Sequence, residues 1–231
     1  YERAGRVETL STRPGSVSLI GAVSPPGGDF SEPVTSHTKE IVRCFWALSK
    51  ELADARHYPA ISWSESFSGY VATAAKWWAE QVNTKWQQRR ASALERLTHA
   101  DELARIVNLV GPEALSPEQR WVLESARLIR EGVLQQSAMD EVDSYASPEK
   151  QYALLTLMDH IHKDGERLIK NGVPVQVLLE MPVLARARRA KSVYSSDQIE
   201  RLTDFIKEVR GEFELIRREY ESVSKTAEQS L

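Results

Sequence analysis

The order of strand-like and helix-like segments is the feature that most limits how this chain can fold. Residues 16–23 are β-branched and apolar and lie between proline-glycine pairs, which predicts a buried strand, and residues 59–63 are a second candidate strand. After Gly69 every segment has the pattern of a helix or a turn for about 160 residues. The sequence therefore predicts an α/β domain over residues 1–70, followed by an all-α helical bundle over residues 71–231.

A helix is predicted between the two candidate strands, capped by Ser36 or Thr38. Its apolar residues recur at helical spacing and form one stripe: Ile41, Phe45, Leu48 and Leu52. A strand, a helix and a strand in this order indicate a parallel sheet. Cys44, the single cysteine, falls within this helix and is expected to be a buried thiol.

Helix starts are unusually clear in the second half of the chain. Ser116 and Ser147 each precede a proline, the arrangement of a capping serine before the first helical residue, and Ser196-Asp197 is expected to open the last helix. That helix has apolar residues in steps of three and four, which favours packing within the chain over partner binding: Ile199, Leu202, Ile206, Val209, Phe213, Ile216 and Tyr220. We interpret the basic run 186–191 as a solvated helix end, in preference to a nucleic-acid patch.

Most kinds of chemical site are not indicated by the residues alone. The 30 basic and 33 acidic side chains give no field that would attract nucleic acid, and no apolar run approaches the ~20 residues that span a bilayer. No G-x-x-x-x-G-K-[ST] loop occurs. His160 and His162 are two residues apart and cannot share a metal, while Asp140, Glu141 and Asp143 are interpreted as a solvated turn more readily than as a cation site. We expect no catalytic residue and no metal site.

A family resemblance goes further. The segment from Gly15 to Thr35, GSVSLIGAVSPPGGDFSEPVT, closely resembles a signature of the catalytic A subunits of V-type and archaeal A-type rotary ATPases. Segments 45–48, 56–63 and 134–143 support it in the same order, so the resemblance covers essentially the whole chain. It implies the C-terminal part of a RecA-like P-loop nucleotide-binding domain followed by a helical bundle. The phosphate-binding residues of the family precede Tyr1, and we expect the chain to start within a longer protein.

The resemblance implies the adenine end of an ATP site. Tyr58 matches the aromatic residue on which the base stacks, and a second segment would close the other side of the base: Gln135, Gln136, Ala138 and Met139. Met139 stands where the family more often has Phe; a thioether still contacts an aromatic face, though stacking is expected to be weaker by about 0.5–1.5 kcal/mol. The alternative is that Tyr58 and Met139 are core residues. ATP or ADP with Mg²⁺ is implied for the complete subunit, with no tight binding to this chain alone.

Partners follow from the same resemblance. Two segments resemble those that face the central shaft: Asp29, Phe30, Ser31, Glu32 and Pro33, and Leu115, Ser116, Pro117 and Glu118. Residues 66–70 lack the arginine that noncatalytic subunits supply, so the chain resembles the catalytic type of subunit. The resemblance also implies that this subunit alternates with B subunits in a cytoplasmic, peripheral membrane complex. No direct insertion into the membrane is expected. The alternative function is a stand-alone helical interaction module without catalysis.

Overall fold

The chain forms two compact units. A computed structural model describes the backbone of residues 2–8 and 14–228. The first unit comprises residues 1–77 and the second residues 78–231, and the boundary falls within one helix, Val71–Gln81. Each unit is described by itself below.

An antiparallel sheet organises the described part of the first unit. Its strands are β1 (Glu2–Glu8), β2 (Pro14–Ile20), β3 (Cys44–Phe45) and β4 (Phe67–Ser68), in the order β2-β1-β3-β4. All three pairs of neighbours are antiparallel. The prediction of a parallel strand-helix-strand unit is therefore wrong for these elements, because β1 and β2 pair directly as neighbours in sequence.

The helix predicted over 41–52 is also wrong. Helix α1 spans Pro33–Ile41 and is capped by the Glu32 side chain; the chain then enters β3, and α2 (Lys50–Asp54) starts at a new cap, Ser49. Cys44 is buried as expected, but in a strand, where its thiol donates a 3.2 Å hydrogen bond to Ser68 Oγ. Sheet pairing overrides the helical spacing here.

The two candidate strands differ from their predictions. The first forms β2, but its apolar side chains Val17, Leu19 and Ile20 are 50–71% exposed, so the prediction that it is buried is wrong. β2 is an edge strand, with one neighbour in the described sheet. Segment 59–63 contributes a single antiparallel bridge, Leu48 with Ile61.

The second unit is a bundle of helices, with α3 (Val71–Gln81) leading into it. The helices that follow are α4 (Trp86–Val110), α5 (Pro117–Ile129), α6 (Pro148–Lys170), α7 (Val175–Leu179), α8 (Pro182–Val193) and α9 (Ile199–Glu228). Helix α5 packs against α4 and α6, and α6 packs against α9. Trp121 of α5 is 1% exposed and lies over Gly165 of α6, which places a large ring at the centre of the bundle.

Capping and amphipathic patterns locate these helices well. Ser116 caps α5 in a reciprocal capping box with Gln119, and Ser147 caps α6, as predicted. Helix α9 begins at Ile199, two residues after Asp197, and its stripe residues Leu202, Val209 and Phe213 are buried, which confirms packing within the chain. None of the described helices is long and apolar enough to cross a membrane.

The basic run 186–191 is a solvated helix end only in part, because Arg186 and Arg189 are exposed whereas Arg188 and Lys191 are half-buried. Arg188 Nη2 lies 2.5 Å from Glu124, and Arg186 lies 2.7 Å from Glu208. The Lys191 ammonium lies 3.1 Å from Asp143, and its side chain is 12% exposed. All three cations pair with carboxylates from other elements, and at Arg188 and Lys191 these ion pairs replace most of the solvent that the sequence predicted.

Candidate functional site

Tyr58 is exposed on the surface of the first unit. It follows α2, its side chain is 55% exposed, and its hydroxyl makes a long contact of 3.5 Å with the Ala53 carbonyl. The adjacent His57 is buried, with its ring 6.1 Å from that of Trp63, edge to face. His57 therefore anchors the turn, while the ring of Tyr58 remains exposed.

The second predicted part of the adenine site is a loop on the bundle, residues 135–139, called here the base loop. It follows a π-helical turn, Arg130–Leu134, that ends α5. Gln135 is half-buried, whereas Gln136 and Ala138 are exposed and Met139 is 96% exposed. The exposures of Tyr58 and Met139 contradict the alternative that they are core residues.

The backbone of the base loop is hydrogen-bonded to two largely buried charged side chains, Asp143 and Lys191. The Asp143 carboxylate accepts a 2.8 Å hydrogen bond from the Ser137 N–H and lies 3.1 Å from Lys191 Nζ. Lys191 also donates to the Gln135 carbonyl. Asp143 is 3% exposed, so its interpretation as part of a solvated turn is wrong; Asp140 fits the expected role, since its Oδ1 accepts from the Val142 and Asp143 amides at 2.9 Å.

The first predicted shaft segment, residues 29–33, is a tight turn leading into α1. Asp29 Oδ1 accepts from the Ser31 N–H at 2.9 Å and its hydroxyl at 2.6 Å, and these bonds lower the pKa of Asp29. Glu32 accepts from Thr35 Oγ1 and from two α1 amides, and the hydrogen bond from the Thr35 hydroxyl is the main cause of its lowered pKa. The Phe30 ring is half-buried and packs 5.9 Å from that of Phe45, so Phe30 anchors this turn.

The second predicted shaft segment is the turn that joins α4 to α5. Ser116, Pro117 and Glu118 are exposed, and Ser116 Oγ donates to Glu118 at 2.8 Å. Leu115 is only 5% exposed, which corrects the prediction that it contacts the shaft. A leucine between a glycine-proline turn and a helix cap packs inward, because burial of its side chain fixes the turn.

Sequence reasoning missed an apolar patch beside this turn. Ile106, Leu109 and Val110 at the end of α4 are 43%, 84% and 62% exposed. Their i, i+3, i+4 spacing is the available signal, but that spacing also describes an ordinary buried stripe. Only the structure shows that these side chains face outward.

The described residues do not fit a catalytic metal. They contain no group of three or more His, Cys, Asp and Glu side chains placed to hold a metal ion. His162 is instead half-buried, with Nδ1 3.0 Å from Ser125 Oγ, and this partial burial lowers its pKa to about 4.

Two protein-family models match this chain. The nucleotide-binding domain of the ATP synthase alpha/beta family matches residues 1–68, and the C-terminal domain of V and A type ATP synthase matches residues 75–178. The chain belongs to the V/A-type ATP synthase A-subunit family. The resemblance found in the sequence is thereby confirmed, as is the coarse order of a nucleotide-binding-domain portion followed by a C-terminal domain.

Individual relatives agree with the family assignment. The chain is 64% identical over 97% of its length to the V-type ATP synthase alpha chain of Nitrosococcus oceani, and 47% identical over 93% to the A subunit of the A-type ATP synthase of Methanopyrus kandleri. It is 44% identical over 96% to the V-type ATP synthase alpha chain of Halothermothrix orenii. It spans only 38%, 36% and 38% of these relatives. The match favours a portion of an A subunit over a stand-alone interaction module.

Proposed function

We propose that this chain is the base-binding and shaft-facing portion of the catalytic A subunit of a rotary ATPase that couples ATP hydrolysis or synthesis to ion transport. One observation carries the proposal: 97% of the chain aligns with 64% identity to one V-type ATP synthase alpha chain. The first unit then belongs to a RecA-like nucleotide-binding domain, and the bundle to the domain that closes over the nucleotide.

The proposed contact with adenine consists of stacking and apolar contacts and involves no ion pairs. The exposed Tyr58 ring offers an aromatic face for stacking on adenine, and Met139 offers a polarizable thioether for its other face. Gln135 and Gln136 would border the base, with Ala138 leaving space beside it. The phosphates and Mg²⁺ need groups outside this sequence, because no phosphate-binding loop occurs in it. We expect these 231 residues alone to hydrolyse no ATP and to bind it weakly.

The proposed shaft contact is mainly apolar. The carboxylates of Asp29, Glu32 and Glu118 are engaged in local hydrogen bonds that fix turns and caps. By contrast, Leu109 and Val110 expose apolar surface beside the α5 start. Contact through this surface would transmit movement of the bundle by apolar packing, which salt does not screen as it screens ion pairs.

Assembly completes the proposed mechanism. Residues 66–70 hold no arginine, so the cation that stabilises charge on the transferring phosphoryl group would come from a neighbouring B subunit. The chain would then lie in a cytoplasmic complex attached to the membrane through other subunits, including those of the central stalk.

The test uses the full-length A subunit in complex with its B partner. We expect magnesium-dependent ATP hydrolysis by the wild type, and Tyr58→Ala should raise KM for ATP by about tenfold, since base stacking contributes about 1–3 kcal/mol. Tyr145→Ala, which removes another exposed tyrosine (68%), is the matched control and should leave KM unchanged. A complex that fails to hydrolyse ATP would end the proposal.

A further inference from the structure

The base loop combines a hydrogen-bonded backbone with exposed side chains at Gln136, Ala138 and Met139. Its first residue is held on both sides, because the Gln135 N–H donates to the Arg130 carbonyl at 2.8 Å and the Gln135 carbonyl accepts from Lys191. Two residues later the Ser137 N–H is held by Asp143. Between and beyond these bonds, Gln136 and Met139 stay exposed. Such an arrangement presents side chains in one geometry without packing them into the core.

The Lys191–Asp143 pair is the common element of these bonds. Its side chains are 12% and 4% exposed, so both charges are largely withdrawn from water. A buried ion pair does not by itself indicate a gain in stability, because desolvation offsets much of the attraction. Here, however, the two charges reach the backbone at Gln135 and Ser137, so the pair specifies the conformation of the loop.

A second buried lysine closes the other end of the segment. Lys150 on α6 is fully buried, and its ammonium donates a 2.8 Å hydrogen bond to the Val142 carbonyl. Desolvation lowers the pKa of Lys150, while the nearby carboxylates of Asp143 and Asp140 act to raise it. Residues 135–143 are thus tied to α6 through Lys150 and to α8 through Lys191.

Resting on the proposed adenine site, we propose that Lys191 and Asp143 are positioning residues that hold the base loop in its base-accepting conformation and so set the preference for adenine. Neither residue is placed against the base itself. Their effect reaches the ligand through the backbone of Gln135 and Ser137. Loss of the pair would weaken binding of the base and would leave the phosphate-binding groups unchanged.

The experiment compares two lysine substitutions in the full-length A subunit in complex with its B partner. Lys191→Met removes the buried ammonium. Lys170→Met is the control, because it also removes an ion-paired lysine of the bundle, 2.7 Å from Glu166 but 62% exposed. KM and kcat are measured for ATP and GTP, and hydrogen exchange of the Ser137 amide reports on the loop. Asp143→Asn, which keeps the side-chain shape, replaces Lys191→Met if that variant does not assemble.

We expect Lys191→Met to raise KM for ATP about tenfold, to lower the ATP preference over GTP by a similar factor, and to leave kcat within about twofold. Exchange at Ser137 should accelerate, and Lys191→Arg should restore most of the preference. If Lys191→Met behaves like Lys170→Met, or lowers kcat for both nucleotides with an unchanged preference, the proposal is overturned. If the wild-type complex shows no preference for ATP over GTP, the proposed adenine site itself is overturned. This result comes from the wild type alone, so it is distinguishable from a failure of the Lys191–Asp143 proposal.

Discussion

Met139 stands at a position where the family resemblance implies Phe. Its side chain is 96% exposed, so substitution there changes a surface without disturbing the core. Tyr58 has the same property on the other unit, at 55%. At the residue scale, the proposed adenine site therefore consists of exposed side chains on fixed turns. These side chains can be substituted without disturbing the core.

Met139→Phe should strengthen adenine binding. An aromatic ring stacks on the base more favourably than a thioether, by about 0.5–1.5 kcal/mol, so KM for ATP should fall about two- to tenfold in the assembled full-length subunit. Leu215→Phe, at another exposed position (65%), controls for added apolar surface. An unchanged KM in Met139→Phe would argue against a base contact at this position.

Gly165→Ala should destabilise the bundle. A Cβ at this position would lie 2.2 Å from Trp121 Cζ2, a buried and rigid ring, so the helices must shift apart. We expect the free energy of unfolding to fall by about 1–3 kcal/mol in urea titration. Gly211→Ala in α9 meets nothing within 4 Å and should be neutral or raise it by up to about 1 kcal/mol. Equal effects of the two substitutions would contradict the packing described.

Only part of the residue-scale picture could be predicted from the sequence. The serine caps at Ser116 and Ser147 depend on neighbours in sequence, and both are found. Tyr58 and Met139 were identified by family resemblance, since neither periodicity nor charge distinguishes them. The Lys191–Asp143 pair was missed because its partners are far apart in sequence, and a basic run beside a helix end gives no sign of which carboxylate it will meet.

At the scale of elements, helical spacing was a reliable guide in the bundle and a poor one in the first unit. Helix α9 buries four of the seven predicted stripe residues against the rest of the bundle, and a long regular pattern leaves few alternatives. Residues 41–52 carry only four apolar residues at helical spacing. There Cys44 and Phe45 instead pair with β4, and Phe45 stacks on Phe67 with ring centroids 6.0 Å apart. Short patterns are decided by tertiary contacts.

Asp159 joins α4 to α6, and its removal should be costly. Its carboxylate is 4% exposed and lies 2.8 Å from Arg89, 3.3 Å from Arg96 and 2.9 Å from Lys163. Asp159→Ala would leave the buried Arg96 guanidinium without its carboxylate, so we expect the free energy of unfolding to fall by about 3–5 kcal/mol. Lys163→Met, at a lysine that is 53% exposed, should cost no more than about 1 kcal/mol. Urea titration distinguishes these outcomes.

His162 should make the stability of the bundle depend on pH. Burial, followed by the nearby Arg96 charge, lowers its pKa from 6.5 to about 4. The unfolded chain therefore binds the proton more readily than the folded one between these values. The contribution is fully present above the unfolded pKa and is lost as pH falls towards the folded one, by about 2 kcal/mol between about pH 7 and about pH 5.

The check on this pH dependence is urea titration at both pH values. In His162→Gln the difference in unfolding free energy between them should shrink by about 2 kcal/mol, whereas His99→Gln, at an exposed histidine of α4, should keep the wild-type difference. Identical pH dependence in wild type and His162→Gln would show that the ring titrates normally in the folded state.

At the scale of the whole molecule, the order of the two portions could be predicted, but their function could not be derived from physical pattern alone. The switch from strands to helices near Gly69 reflects local periodicity, and the two units meet in the same region of the chain. The proposed adenine site draws on two distant parts of the sequence, Tyr58 and the base loop. No local pattern indicates that such distant segments share a ligand, so this prediction depends on the family.

Photolabelling can establish whether Tyr58 and the base loop contact the same base. The full-length A subunit, in complex with its B partner, is irradiated with an ATP analogue that carries a photoreactive group on adenine, and labelled peptides are identified by mass spectrometry. We predict labels at Tyr58 and within residues 135–139, both suppressed by excess ATP. ATP-protected labelling that avoids both segments would contradict the proposed site.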